Sequence, residues 1–192
     1  GGVPVGVVAS DPKHYAGGLT AAAAEKATRF IDLCDQFRLP VANLVGTKGF
    51  MGGFGRAALT SFGEAETKAF VNAALEEVQR LEMGLRRLAT PVRIAVLHYA
   101  PVAATIAGEP EVIYPFLGCD RLAEPLDRYD ATVVFHGHAH TGTFEGRTAG
   151  GVPVYNVSLP VLRKIGLSTL YYVHEVPLLQ GAGKALRALE PR

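Results

Sequence analysis

The 192-residue sequence has few cysteines, no tryptophan and no excess of either charge. Its two cysteines, Cys34 and Cys119, exclude a disulfide scaffold and favour a reducing compartment, so we expect a cytoplasmic protein. The 19 Lys and Arg residues are balanced by 18 Asp and Glu residues, which leaves a formal net charge of +1. This balance offers no electrostatic basis for binding nucleic acid or an anionic membrane surface.

Long hydrophobic runs are also absent. The longest, VPVGVV, VRIAVL and TVVF, fall well short of the roughly 20 residues that span a bilayer, so we expect no membrane partner. No basic segment followed by an apolar stretch marks a secretory signal. The first residue is Gly1 rather than Met, which indicates a fragment or a processed chain. With 48% hydrophobic and 19% charged residues, the composition is typical of a folded globular protein.

Short apolar, β-branched runs alternate with helical patterns, which predicts an α/β fold. Strands are predicted at 3–9, 41–45, 92–97, 132–135, 152–157 and 169–173. Helices are predicted at 20–37, between a capping box at Ser61–Glu64 and Pro91, and near 122–129, with a short frayed helix in the tail at 181–192. In a capping box, the Glu64 carboxylate reaches back to the backbone of Ser61.

Four histidines follow predicted strands and are the candidate functional residues. His98 comes directly after one strand, and His136, His138 and His140 form the run FHGHAH after the next. If these strands are neighbours, the histidines share the rim of the sheet where ligands bind in α/β folds, and neutral imidazoles there can bind a metal. The alternatives are polar loop histidines with no joint role and, for His136, a place in the core.

The chain from about residue 45 to 175 resembles the C-terminal half of calcineurin-like metallophosphoesterases. The resemblance is carried by GTKGFMGGFGR, VLHYAP, YPFLGCDRLAEPLDRY and VVFHGHAHTGTFEGRTAGGVPVYNVSLP. It implies an αββα sandwich, two ions of Mn, Fe, Zn, Ni or Co, and a phosphate mono- or diester as the small-molecule partner. Carried over to this sequence, His98 and His138 would ligate one metal and His140 the other. The rings of His98 and His138 should then lie within about 10 Å, because ligand bonds are only about 2 Å long.

Other polar residues could support such a site. Asn156 and Glu145 are candidate partners that orient the histidines. Lys48 and Arg56 flank a Gly-rich loop and could contact a phosphate. For all four residues the alternative is an ordinary polar or solvated surface side chain.

The sequence lacks half of the family pattern. The motifs D-x-H, G-D-x-x-D and G-N-H-[DE], which supply the remaining ligands and the acid that protonates the leaving group, do not occur in it. We therefore assign no catalytic residue and expect an incomplete two-metal site, inactive alone or completed by another chain. Three imidazoles could still bind one Zn²⁺ with an open coordination position.

The first 45 residues resemble a different family, the biotin-dependent acyl-CoA carboxyltransferase β subunits. The residues that carry this resemblance are GGVPVGVVASDPKHYAGGLTAAAAEKATRFIDLCDQFRLPVANLV, and they imply a strand–helix–strand unit of crotonase-like type. The loop GTKGF at 46–50 fits both families. The chain is thus divided into a carboxyltransferase-like segment at 1–45, a phosphoesterase-like segment at 46–175 and a tail at 176–192.

Three functions follow as hypotheses. The first is a metal-dependent phosphoesterase, a hydrolase acting on ester bonds. The second is a fragment of an acyl-CoA carboxyltransferase, and the third is a non-catalytic half-domain that binds metal through histidines. Half of a sandwich should also leave one face of the sheet without its partner. We expect the N-terminal segment to cover part of that face, and a face left open would favour a homo-oligomer or a complementing chain.

Overall fold

The computed structural model describes residues 6–8, 21–37, 41–88, 90, 92–167, 169 and 171–176. Its strands are β1 (Gly6–Val8), β2 (Val41–Thr47), β3 (Arg93–Leu97), β4 (Val133–His136), β5 (Glu145–Arg147) and β6 (Pro153–Asn156). Its α-helices are α1 (Ala21–Gln36), α2 (Ala65–Arg87), α3 (Tyr114–Leu117), α4 (Ala123–Arg128) and α5 (Leu159–Lys164). The predicted tail helix lies outside the described residues.

The strands form one six-stranded sheet in the order β1-β2-β3-β4-β6-β5. All neighbours are parallel except β5, which pairs antiparallel with β6 at the edge. This confirms the predicted α/β fold with a mixed sheet. Every strand in the described ranges belongs to this sheet, so the second sheet of a sandwich is not confirmed.

The N-terminal segment joins the same sheet. Strands β1 and β2 pair with each other, and β2 pairs with β3 over five residues, from Asn43 opposite Arg93 to Thr47 opposite Leu97. The division predicted between residues 45 and 46 therefore falls inside one strand. Instead of lying over an open face, β1 and β2 extend the sheet sideways.

One face of the sheet forms the main hydrophobic core. Val45, Ala95, Val134 and Val154 lie side by side on β2, β3, β4 and β6 and are all buried. They pack in one cluster with Leu81 and Leu85 of α2 and Leu126 of α4. Burying aliphatic side chains of this size contributes about 1.5–3 kcal/mol each, so this face provides most of the apolar stabilisation.

The opposite face is partly open. On β3, Val96 is 40% exposed, although its register partner on β4, Phe135, is shielded by the segment 171–176. The rings of Tyr172 and His174 lie 6.4 and 5.5 Å from that of Phe135. The segment was predicted as a strand at 169–173, and this is wrong for its described residues, which are in no strand. Strand β6 already pairs with β4 on one side and with β5 on the other, so the segment 171–176 cannot pair with it. The rings of Tyr172 and His174 pack on the face of the sheet instead.

Helix α2 begins one turn later than its sequence pattern indicates. Its N-cap is Glu64, and no side chain caps the helix, so the predicted capping box is wrong. The helix positions Ala74, Leu81 and Leu85 are buried as the apolar periodicity predicts. The short elements β5 and α5 were not predicted, because three- to six-residue elements carry little periodic signal.

Of the helices in the described ranges, none combines the length and apolar composition that crossing a membrane would require.

Candidate metal centre at the sheet rim

Two loops at the carboxyl ends of the central strands carry the candidate histidines. His98 follows β3, and residues 137–140 follow β4. The loops are joined through the backbone, because the N–H of Gly137 donates to the carbonyl of His98 at 3.3 Å. The N–H of His98 donates in turn to the carbonyl of Lys48 at 3.1 Å, which lies just after β2. Three neighbouring strand ends are therefore tied together at this rim.

The structure brings the imidazoles of His98 and His138 into contact. Their ring centroids lie 4.6 Å apart at an interplanar angle of 47°, well within the distance that a shared ligand requires. The ring of Tyr99 packs edge-on against both, at 4.9 Å from His98 and 4.7 Å from His138. This ring gives the pair an apolar neighbour on one side.

The hydrogen bond of His138 determines which ring nitrogen carries the proton. Its Nε2 lies 3.2 Å from the carbonyl oxygen of Phe116. A carbonyl only accepts, so Nε2–H donates and the lone pair is left on Nδ1. Metal-binding histidines in proteins characteristically donate their second ring N–H to a carbonyl or carboxylate in this way.

The surroundings of His98 favour its neutral form. Burial lowers the pKa of His98, and the neighbouring charges of His138, Lys48 and His140 lower it further. The ring is therefore neutral at physiological pH. Neutral imidazole is the form that offers a lone pair to a metal.

His136 is a core residue, as one of the alternatives predicted. It is 1% exposed, and burial lowers its pKa to about 4. Its Nδ1 lies 2.8 Å from the carbonyl oxygen of Gly137, and its Nε2 lies 2.7 Å from the hydroxyl oxygen of Thr105. Because the Gly137 carbonyl only accepts, Nδ1 carries the proton, and the single proton of the Thr105 hydroxyl is shared between Nε2 and the carbonyl of Val102, 3.1 Å away.

Asn156 and Ser158 support the histidine loop rather than an imidazole. The Asn156 amide donates to the carbonyl of Ala139 at 2.7 Å and to that of Thr105 at 3.3 Å. The Ser158 hydroxyl donates to the same Ala139 carbonyl at 2.9 Å. Asn156 is fully buried and Ser158 is 8% exposed, so water does not compete for these bonds.

The other candidate residues lie outside the pair formed by His98 and His138. His140 is exposed, and none of the ring contacts in the described part of the chain joins it to His98 or His138. Lys48 has its Nζ 5.8 Å from the Tyr99 ring centroid, beside the pair. Arg56 lies on an exposed 3₁₀ turn, with no contact to the histidines among those of the described residues. Within the described part of the chain, Glu145 contacts Arg147 and pairs with Tyr155, and none of its contacts there orients a histidine.

Two supporting groups had no signal in the sequence. Thr105 and the carbonyl of Phe116 reach the histidines across 31 and 22 residues, from the long loop after β3. Glu109, on the same loop, accepts a hydrogen bond from the N–H of Thr141 at 2.7 Å and so anchors the residue after His140. Contacts between separate loops depend on the fold and leave no local pattern.

The residues present fit part of a transition-metal site. Two imidazoles, one with a carbonyl on its second nitrogen, are a donor set that suits Zn, Ni or Fe. Across the described ranges, however, no group of three or more His, Cys, Asp or Glu side chains is arranged to hold a metal ion. The pair is therefore a half-site.

Comparison with known proteins assigns a relationship to the N-terminal segment only. A family model described as carboxyl transferase domain matches residues 1–58. The biotin-dependent acetyl-/propionyl-coenzyme A carboxylase beta5 subunit of Mycobacterium tuberculosis (strain CDC 1551 / Oshkosh) is 51% identical over 53 residues, which are 28% of this chain and 10% of that protein. The putative propionyl-CoA carboxylase beta chain of Bacillus subtilis (strain 168) is 51% identical over 49 residues, or 26% of this chain and 10% of that one.

These matches confirm the N-terminal resemblance and carry it through the Gly-rich loop to residue 58. The chain spans about a tenth of the length of these relatives. Among solved structures, the crystal structure of phosphopantetheinyl hydrolase from Mycobacterium tuberculosis is similar with a TM-score of 0.47 and 15% identity, over 76% of this chain and 65% of that one. A likeness at this level carries no argument about the fold or the activity.

Proposed function

We propose that the rim site binds a divalent transition metal through His98 and His138 and that its substrate is a phosphate ester. The observation that carries the proposal is the contact of the two imidazoles, with centroids 4.6 Å apart, at the carboxyl ends of adjacent parallel strands. The sequence resemblance to metallophosphoesterases supports the same reading, since these two histidines match the family pattern.

The chain's own residues supply binding and orientation. His98 and His138 would hold the metal through ring nitrogens, and His138 is oriented by the Phe116 carbonyl. The chemistry supplied by a bound divalent metal is Lewis-acid polarisation of a phosphoryl oxygen and activation of water. Tyr99 shields the rings on one side, which strengthens electrostatic interactions at the site.

Lys48 is the residue we propose for binding the phosphate. Its ammonium group lies 5.3 Å from the centroid of the Phe50 ring and 5.8 Å from that of the Tyr99 ring. Its positive charge contributes to the lowered pKa of His98. A cation beside a metal site is well placed to attract a phosphate dianion or monoanion. No general acid or base is assigned, and the alternative to turnover by this chain alone is a second chain that completes the site.

The metal part of the proposal is tested by direct binding. We expect the purified chain, first stripped with a chelator, to bind Co²⁺ or Ni²⁺, measured by calorimetry and by the Co²⁺ absorption spectrum. His98→Ala and His138→Ala should each weaken binding at least about tenfold, because each removes one of two ligands. His174→Ala is the matched control, since His174 packs on Phe135 at the sheet face. Equal affinity in all four proteins, or no binding by any, contradicts the proposal.

The substrate part is tested with bis(p-nitrophenyl) phosphate and added Mn²⁺ or Ni²⁺. We expect slow hydrolysis that is lost in His138→Ala, and a raised KM in Lys48→Met. Metal binding without hydrolysis would leave the non-catalytic histidine half-domain as the function. Hydrolysis that persists in His138→Ala would reject this site as its source.

A second candidate is supported by the family match to residues 1–58. The related proteins are named as carboxylases of acetyl- or propionyl-coenzyme A, so this segment is proposed to contact an acyl-CoA. The test is a thermal-shift titration with propionyl-CoA in the presence of chelator. A concentration-dependent rise in Tm would support this function, and an unchanged Tm would reject it.

A further inference from the structure

We propose that His136, Asn156 and Ser158 are positioning residues that hold His138 in the orientation in which it presents Nδ1 to a metal. The inference rests on the proposed function for its consequence, metal affinity. Its structural content, a fixed orientation and a fixed tautomer of His138, can be measured on the metal-free protein.

The backbone of His138 does not adopt its conformation unaided. Its φ is +66°, in the left-handed region that costs a residue with a Cβ roughly 1–2 kcal/mol. Such a conformation persists only where the surrounding structure enforces it. The residue that carries the strain is also the residue whose ring contacts His98 at 4.6 Å.

The enforcing contacts lie on both sides of His138. The carbonyl before it, that of Gly137, accepts from Nδ1 of His136 at 2.8 Å. The carbonyl of Ala139, which lies one peptide further along than the peptide joining His138 to Ala139, accepts from Asn156 at 2.7 Å and from Ser158 at 2.9 Å. The N–H of Ala139 also donates to the Gly137 carbonyl at 2.8 Å, which closes a three-residue turn with His138 at its centre. Three buried donors thus bind the carbonyls of Gly137 and Ala139 at the two ends of this turn.

The hydroxyl of Ser158 bonds the Ala139 carbonyl in place of the partner that a serine at this position usually has. Ser158 is the N-cap residue of α5, a position where serine ordinarily caps the helix with its side chain. Here no side-chain capping bond forms, and the hydroxyl donates to Ala139 instead. Asn156 holds Ser158 in this position, because Oδ1 of Asn156 accepts a hydrogen bond from the N–H of Ser158 at 3.1 Å.

The ring of His138, which projects from this turn, is also held by contacts of its own. It lies against His98 and Tyr99, and its Nε2–H reaches the Phe116 carbonyl. Loosening the turn should let the ring rotate, break that hydrogen bond and allow both tautomers. The lone pair would then no longer be confined to Nδ1.

The experiment compares Ser158→Ala, which removes one donor to Ala139, with Ser158→Thr, which keeps a hydroxyl. Long-range ¹H–¹⁵N spectra of the metal-free protein at about pH 8, where imidazoles are neutral, report the His138 tautomer. We expect the Nε2–H form in the wild type and in Ser158→Thr, and a mixture in Ser158→Ala. Affinity for Ni²⁺ should fall about tenfold to a hundredfold in Ser158→Ala and be retained in Ser158→Thr.

Asn156→Ala removes two donated hydrogen bonds and one accepted hydrogen bond and puts folding at risk. The test therefore uses Ser158→Ala. Thr148→Val is the control for lost stability, because Thr148 is a buried hydroxyl that bonds Asp127 and the N–H of Val152, away from His138. It should lower Tm without changing the tautomer or the affinity.

The outcomes separate the two proposals. A shifted tautomer in Ser158→Ala in a protein that binds no metal supports the positioning role and rejects the metal site. An unchanged tautomer and unchanged Ni²⁺ affinity in a folded Ser158→Ala overturn the positioning role, whatever the wild type binds. Equal tautomer shifts in Ser158→Ala and Thr148→Val also overturn it, because the effect would then follow stability alone.

Discussion

At the scale of single residues, the buried imidazole of His136 couples the site to folding. The ring is 1% exposed and is held between the Gly137 carbonyl and the Thr105 hydroxyl. Both bonds are satisfied by the neutral ring, and burial disfavours the charged one. The same side chain that orients the turn before His138 is therefore sensitive to acid.

We predict that the metal-free protein loses stability as pH falls from about 6.5 to about 4. The pKa of His136 is 6.5 unperturbed and about 4 in the folded protein, so in this window the unfolded chain binds a proton that the folded chain does not. The free energy of unfolding should decrease by about 3 kcal/mol across the window from this residue. Urea unfolding at several pH values measures it.

The control for this prediction is His136→Asn, whose amide can donate to the Gly137 carbonyl but does not titrate. Its stability should depend less on pH in the same window. Parallel pH profiles for the two proteins would show that His136 is not responsible for the acid sensitivity.

At the scale of elements, a close approach between α2 and β2 sets the distance of the helix from the sheet. A Cβ added at Gly84 of α2 would lie 2.6 Å from Cγ1 of Val45, nearer than side-chain atoms approach. Val45 is β-branched and in a strand, so its rotamer is not free to move away. This close contact explains why position 84 of the helix is occupied by glycine, which is a poor helix former.

We therefore predict that Gly84→Ala destabilises the protein by about 1–2 kcal/mol. Overpacking typically costs about 1–3 kcal/mol, and the better helix propensity of alanine recovers at most about 1 kcal/mol. In a Val45→Ala background, where the clash is gone, Gly84→Ala should be neutral or stabilising. A double-mutant cycle by urea unfolding measures this coupling, and additive effects would contradict the described contact.

At the scale of the whole molecule, the two faces of the sheet are covered unequally. Val134 of β4 is fully buried under the helices, whereas Val96 of β3 is 40% exposed on the opposite face. Next to Val96 on β2, Gly46 is also exposed, and a Cβ there would meet only the Val96 carbonyl, at 3.8 Å. Among the described residues, this region of the sheet is therefore covered less than the face that packs against the helices.

We predict that Val96→Thr lowers binding of the apolar dye ANS and changes stability by less than about 0.5 kcal/mol, as exposed substitutions usually do. Val134→Thr is the matched change on the covered face. It should cost about 1–3 kcal/mol, since it buries a hydroxyl without a partner. Equal destabilisation by the two variants would show that the face at Val96 is covered.

Much of the fold and half of the site could be predicted from the sequence. Apolar β-branched runs ended by His98 and by the FHGHAH segment indicated two strands with histidines at their carboxyl ends. Parallel pairing then brings those ends to one rim, because strands joined by helical crossovers run in the same direction. The predicted contact of His98 with His138 follows from this, and so does the core position of His136, which continues its apolar strand.

The remainder could not be read from local pattern. The strand predicted at 169–173 failed because apolar and aromatic residues suit a sheet face as well as a strand, and only the completed sheet showed that no edge was left beside β6. The capping box failed for a related reason, since a Ser-x-x-Glu spacing permits the bonds without requiring them. Elements as short as β5 have too few residues for a period to be recognised.

The sequence by itself determined the main strands and helices and the strand ends at which the histidines lie, because hydrophobic periodicity and chain connectivity are local properties. Only the tertiary structure decided the tautomer of His138 and the hydrogen bonds that hold its turn. Those bonds join Thr105, Phe116, Asn156 and Ser158 to a loop at 136–139. Contacts between residues so far apart in the chain exist only after the sheet has brought their loops together.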